Sequence, residues 1–459
     1  MEEGIDSYKK LTVLSLTWPI FIETFLRVML GNVDTFMLST YSDDAVAAVG
    51  ITNQITHILI MLYWVISTGT TVLISQYLGA QKNKTASEVA VTALTGSLIY
   101  GLVIGIGVFI FSRQILMLIN VPPELMGYAL IFLKIVGGFS FTQALLATLS
   151  AIIRSYGYTR VTMYITIGMN LLNVLGNSMF LFGLFGVPKL GVAGVAIATV
   201  VSQTIGIVVM ITVMFRSFNT SFSFRCLIPL PKETIKDILR IGLPSAGEGM
   251  AYHLSQLGIT RIITMLGTVA LTTRVYTLNL MLFIMVFAIA VGQGTQIVVG
   301  HLIGAGDNEK AHDTCLRSLK IAVPIAIVIA AVLSLFSKPL LGIFTNDQSV
   351  IELGSRLMVL TLVLEPGRVF NIVIINCLKA AGDVKFPVIM GVISMYGIGV
   401  TLSYILGIVL GLGLVGVWIA FACDEWFRGI IMLWRWKSRV WENMSFVKSQ
   451  GLDQLVQAE

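Results

Sequence analysis

The sequence predicts an all-α polytopic membrane protein, with about twelve transmembrane helices in two six-helix pseudo-symmetric lobes. Three observations carry this. Of 459 residues, 56% are hydrophobic and only 12% charged, with a mean hydropathy of +0.89; a soluble surface of this size needs far more charge. Apolar stretches near the ~20 residues that span a bilayer recur along the whole chain, where a β-barrel would show short alternating strands. The chain also repeats itself at an offset of 225 residues.

In order, the spans fall at 12–39, 47–77, 88–112, 127–152, 161–185, 191–215, 237–266, 271–301, 314–337, 353–378, 387–410 and 413–434. Turn-forming segments separate them, among them YSDD (41–44), GAQKNK (79–84), INVPPE (119–124), GVPKLG (186–191) and GAGDNEK (304–310). The longest break, roughly 216–236, contains Arg216, Arg225, Lys232, Lys236 and two prolines. The expected organisation is a first lobe over 1–218, a cytoplasmic linker over 219–236, and a second lobe with a cytoplasmic tail over 237–459.

Lysine and arginine set the orientation. With the N-terminus inside, the termini and even-numbered loops hold 20 of the 30, whereas the outer loops hold Arg113, Lys189, Arg274 and Lys338. The positive-inside rule then places both termini in the cytoplasm of a multi-pass plasma-membrane protein. The N-terminal MEEGIDSYKK lacks the n-region of a signal peptide, so the first helix acts as its own insertion signal. The net charge of +6 does not indicate nucleic acid, because there is no soluble domain to carry a basic face.

The repeat maps Pro19 onto Pro244, Glu23 onto Glu248, Gly69-Thr70 onto Gly294-Thr295, Gly79-Ala80 onto Gly304-Ala305, Asn83 onto Asn308 and Gly157 onto Gly382. Near the end the offset slips to 222, where Gly191–Gly194 meets Gly413–Gly416. Six helices per half give both halves the same orientation, so the repeat is parallel, with its axis along the membrane normal. Two such lobes enclose a cavity, as an alternating-access carrier requires.

Charges inside the membrane are costly and need an account. The first span carries Glu23, Arg27 and Asp34 within roughly 40° of one another on a helix of 3.6 residues per turn. Glu23–Arg27, Glu365–Arg368 and Glu425–Arg428 form helical pairs of opposite sign, and Arg27, Arg261, Arg368 and Arg428 read as structural ties. Asp34 has no basic residue within a turn, and its repeat partner is Ile259. A low-dielectric setting favours its protonated form, which suits it to exchange H⁺ or, with oxygen neighbours, Na⁺. Asn173 and Asn177 on the fifth span share a face, and Thr199 on the sixth adds a hydroxyl. Glu23, Glu248 and Glu365 each adjoin a bend-forming proline, where a freed carbonyl can line a cavity. Glu248 and Glu365 are candidates for a substrate or cation site in the second lobe.

Other chemistry is thinly represented. There is no GxxxxGK[ST] phosphate loop, which argues against ATP-driven transport by this chain. The four cysteines show no CxxC and no pairing pattern, and His57 and His253 are expected to be buried structural residues. No cofactor, firm metal site or enzymatic nucleophile–base set is visible.

Several motifs, taken together, resemble the multidrug and toxic compound extrusion (MATE) family, prokaryotic type, over essentially the full length. They are the WP opening of the first span, VDTFMLS (33–39), AVGxxNQ (48–54), QYLGAQ (76–81), HLIGAG (301–306), RSYGYTR, KAAGDVK and the GLP of the seventh span. The resemblance implies two lobes around a central cleft and secondary efflux of lipophilic, often cationic compounds in antiport with H⁺ or Na⁺. It also implies a cation site of an aspartate on the first helix, matched by Asp34, and an Asn-x-x-x-Asp pair on the fifth, which here reads Asn173 and Asn177. Asp34 is thus the only charge at that site.

The expected function is therefore multidrug efflux by a monomer in the bilayer, with amphipathic drugs as partners and H⁺ or Na⁺ as coupling ion. A flippase for a lipid-linked precursor is the alternative; it would want a strongly basic cavity, whereas the intramembrane charges here are mixed. A scaffold or receptor would not need isolated acids on its inward faces.

Overall fold

The computed structural model describes residues 11–217 and 230–447. Residues 219–229 of the expected linker, both chain ends, and Lys9, Lys10, Arg225 and Lys448 lie outside them. The described residues are mostly helical, with no strand among them. The first half contains α1 (Val13–Ser39), α2 (Asp43–Gly79), α3 (Asn83–Leu118), α4 (Pro123–Phe132), α5 (Phe141–Ser155), α6 (Thr159–Phe182) and α7 (Val192–Ser217). The second contains α8 (Lys232–Thr264), α9 (Thr268–Gly304), α10 (Asn308–Leu335), the short α11 (Ser337–Gly342), α12 (Gln348–Ala380), α13 (Lys385–Ser394), α14 (Thr401–Tyr404) and α15 (Gly413–Lys437).

Among the described residues, nine helical stretches are long and apolar enough to cross a membrane. A tenth is a bent pair, α4 with its π-turn Leu133–Gly137 followed by α5 at 43°. The long helices α8 and α15 complete the expected set; charged residues interrupt their apolar stretches, among them Asp424, Glu425 and Arg428 in α15. Helix ends follow local chemistry. Asp307 and Asp347 accept hydrogen bonds from the backbone N–H of Lys310 and Ser349 and so cap α10 and α12. α8 begins at Lys232, earlier than the expected 237, directly after Pro231 and with Glu233 in its first turn. Arg274, assigned to an outer loop in the charge count, is buried near the start of α9 and donates to Gln256 and Thr260. Pro19, Pro244 and Pro366 sit inside helices that continue through them.

The fold has two compact units. One comprises Ile22–Ile74 and Lys82–Gly242; the other comprises Leu11–Phe21, Ser75–Gln81 and the chain from Leu243 on. Each unit thus includes the beginning of the other half's first helix. Glycines allow this. In the first unit Gly69 abuts the backbone of Ile238, and in the second Gly294 abuts Thr17, its repeat equivalent in role. Also in the second unit, Gly79 rests on the carbonyl of His301 and Gly304 on that of Gln76, with no room for a Cβ on either. Lipid supplies little hydrophobic drive between helices, so close backbone approach and packing must hold such crossings.

The core that positions the first unit's polar site draws Leu38 from α1, Val49 from α2, Leu181 from α6 and Val195 from α7. The main core of the second unit joins α9, α10, α12 and α15 through Ile284, Cys315, Val373, Cys377 and Trp436.

Candidate functional site

The polar face of α1 is turned onto α6 at three levels. At the first, Glu23 is buried and receives Thr162 Oγ1 at 2.8 Å and Arg27 Nη2 at 3.0 Å, with Arg154 Nη1 4.0 Å away. At the second, Asn170 Nδ2 donates to the carbonyl of Leu26 at 3.0 Å. At the third, Asn177 Nδ2 donates to Asp34 Oδ1 at 2.6 Å. The spacing of 23, 26 and 34 keeps these groups on one side of α1, and that side faces α6.

Around Asp34 the expected residues form one chain. Asn177 Nδ2 also reaches Asn173 Oδ1 at 3.0 Å, Asn173 Nδ2 reaches Thr199 Oγ1 at 3.1 Å, and Thr199 donates to the carbonyl of Val195 at 2.9 Å. Asn173 and Asn177 are fully buried. Asp34 forms no ion pair among the described residues, and Asn177 Oδ1, also buried, receives no hydrogen bond. A buried acceptor beside an unpaired carboxylate is an oxygen-rich setting suited to a cation.

The second unit differs. Glu365, wholly buried, lies 2.6 Å from Arg368 Nη1, and Arg368 Nε reaches Glu425 Oε1 at 3.4 Å. Glu425 also meets Arg428 at 3.1 Å and Asn371 Nδ2 at 2.8 Å; Arg428 meets Asp424 at 2.8 Å, and Ser394 Oγ donates to Asp424. The sequence-local pairs are thus welded across α12 and α15 into one network. Glu248 is elsewhere, paired with Lys379 at 2.7 Å, so the two candidate acids of this half have separate cationic partners.

Some expectations need correction. Arg261 is not a tie: it is exposed and lines an open groove with Gly258, Met265, Val400, Thr401 and Tyr404, because it lies near the end of α8. His57 and His253 are exposed, not buried, because their helix faces point away from the cores. Sequence reasoning also missed residues. Thr162, Asn371 and Ser394 carry no local signal, since their partners are distant in the chain. Lys134, in the π-turn after α4, was legible as a lysine within a span; its ammonium lies 5.6 Å from the ring centre of Phe109.

Comparisons with known proteins agree with this architecture. The family model described as MatE matches twice, at residues 19–179 and 244–405, starting points separated by the same 225 residues as the internal repeat. The chain is 48% identical over 433 residues to the uncharacterized transporter YisQ of Bacillus subtilis, covering 94% of this chain and 95% of that one. It is 28% identical over 463 residues to the probable multidrug resistance protein NorM of Thermotoga maritima, covering 99% and 97%. Among solved structures, a multidrug resistance MATE family transporter in an outward-facing conformation matches with TM-score 0.86 at 22% identity, covering 93% and 95%. A MOP superfamily transporter from Pyrococcus furiosus matches with TM-score 0.85 at 21% identity, covering 93% and 95%. With both halves matched in register and relatives aligned over nearly their full length, the chain belongs to the MatE family, the multidrug and toxic compound extrusion transporters.

Proposed function

We propose that this membrane protein is a cation-coupled antiporter that exports lipophilic and cationic organic compounds by alternating access, in exchange for H⁺ or Na⁺. In this reading the two halves act as lobes of a single chain, both termini are cytoplasmic, and the coupling ion is taken up at Asp34, Asn177, Asn173 and Thr199. The observation that carries it is the Asp34–Asn177 contact at 2.6 Å, in which the carboxylate has no cationic partner among the described residues while Asn177 Oδ1 receives no donor. The buried acids described above, Glu23, Glu248, Glu365, Asp424 and Glu425, each already have a basic partner. An ion arriving at Asp34 neutralises it and changes how α1 holds α6; only such a difference in affinity between two states can shift a conformational equilibrium. Glu248 and Glu365 are proposed as supporting groups of the second half, and Glu23, Arg27 and Arg368 as the charges that brace the helices.

The deciding experiment is Asp34→Asn in proteoliposomes, with H⁺ and Na⁺ gradients imposed separately and efflux of a cationic dye followed. Gradient-driven efflux is expected to fall more than about tenfold, which corresponds to a coupling loss above ~1.4 kcal/mol. Full efflux by this variant would remove Asp34 from the mechanism. The gradient that drives the unsubstituted protein identifies the ion.

A further inference from the structure

Beyond α15 the chain turns back at Arg439, which is left-handed (φ 56°), and enters a tight turn over Val440–Asn443. Trp441 stacks on Trp436 at 4.2 Å and donates its indole N–H to the carbonyl of Trp436 at 2.8 Å. The Arg439 guanidinium holds both carboxylate oxygens of Glu309 at the start of α10, Nη2 to Oε2 at 2.8 Å. The next residues then reach the end of α2. Met444 lays its carbonyl on Gly382, whose φ of 92° and lack of a Cβ permit the approach. Gln76 is wholly buried there: its Oε1 accepts from Phe446 N–H at 3.0 Å and Ser445 Oγ at 3.2 Å, and its Nε2 donates to the Ala380 carbonyl at 2.6 Å.

We propose that the segment from Ser438 to Phe446 is a latch that holds the end of α2 closed on α9, and that it releases Gln76 when the transporter opens to the cytoplasm. The inference rests on the alternating-access reading. Ser75–Gln81 belongs to the second unit although the rest of α2 does not. Its partners at Gln76 come from the C-terminal segment and the end of α12, and the adjoining backbone crossing is the reciprocal one at Gly79 and Gly304. The repeat equivalent of Gln76 is His301, so pseudo-symmetry does not demand a side-chain amide here. A neutral amide with three hydrogen bonds is also a weaker tether than an ion pair and can open reversibly.

The test uses a reporter cysteine at Ser75 in a background with Cys226, Cys315, Cys377 and Cys423 replaced. Ser75 is wholly buried against Gly300 and its hydroxyl makes no hydrogen bond, so Ser75→Cys is labelled by an impermeant maleimide only when the crossing parts. In inside-out vesicles, Gln76→Leu and a chain ending at Glu442 are each expected to label about tenfold faster, for the loss of two to three hydrogen bonds. Their combination should label no faster than either alone, and a chain ending at Val447 should label like the full chain. Unchanged rates in Gln76→Leu and the shorter chain overturn the latch. Where the shorter chain fails to insert, Phe446→Pro, which deletes the N–H donated to Gln76 and keeps the segment, is read by the same two outcomes. Labelling requires neither drug nor ion gradient, so a labelling change without drug efflux overturns drug export and keeps the opening movement that the latch controls, whereas efflux with unchanged labelling overturns the latch alone.

Discussion

Asp34 and Glu23 lie on one face of α1 and meet the same neighbour, α6, but their surroundings divide their roles. Glu23 is neutralised by Arg27 and held by Thr162, whereas Asp34 has the Asn177 amide and no ion pair among the described residues. Adding a second carboxylate by Asn177→Asp is expected to make efflux more Na⁺-dependent and to lower the Na⁺ concentration giving half-maximal rate; an unchanged Na⁺ response would argue that the site serves protons. In the second unit the charge network is more brittle. Arg368→Ala leaves Glu365 and Glu425 without their shared guanidinium, and removing one partner of a buried pair costs about 3–5 kcal/mol. Thermal unfolding in detergent should show that loss, with Arg368→Lys intermediate because an ammonium cannot span both acids as a planar fork does. Equal stability of Arg368→Ala and the unsubstituted protein would mean that the network is solvated.

At the scale of the element, crossings and caps make separate predictions. Gly304→Ala drives a methyl into the carbonyl of Gln76 and is expected to destabilise by about 1–3 kcal/mol, as overpacking does. Gly96→Ala, in α3 with open space around it, should be neutral or stabilising by up to about 1 kcal/mol. Comparable losses in both would assign the effect to helix propensity and not to the crossing. At the start of α10, hydrogen bonds from the Lys310 side chain and backbone hold the Asp307 carboxyl below the usual carboxylate range. Since the folded value is the lower one, the cap's contribution is present above the ordinary carboxylate range and fades as pH falls through the folded value. The gap in thermal midpoint between the unsubstituted protein and Asp307→Ala should therefore narrow on acidification; a gap that widens would refute this account of the cap.

For the whole molecule, orientation is the testable consequence of the charge pattern. Lys189→Cys should react with an impermeant maleimide in intact cells, and Lys84→Cys only in inside-out vesicles, both in the cysteine-free background. The reverse pattern would invert the topology and with it the direction of the proposed latch. The repeat, visible as paired Pro19/Pro244 and Gly79/Gly304, acquires a physical cause in the structure: the glycines recur because each makes a backbone crossing equivalent to its partner's.

The sequence by itself determined the helical membrane class, the positions of the spans, the twofold repeat and the singularity of Asp34. These are local or periodic properties: apolar length, capping residues, charge spacing and self-similarity can all be read along one dimension. Only the tertiary structure decided which polar groups meet. Thr162 on Glu23, Lys379 on Glu248, Arg368 between Glu365 and Glu425, and Phe446 on Gln76 join residues that are remote in the chain, apart from the Glu365–Arg368 half of one network. A buried charge or amide must find a partner, but which partner depends on the approach of separate helices, and no periodicity encodes that.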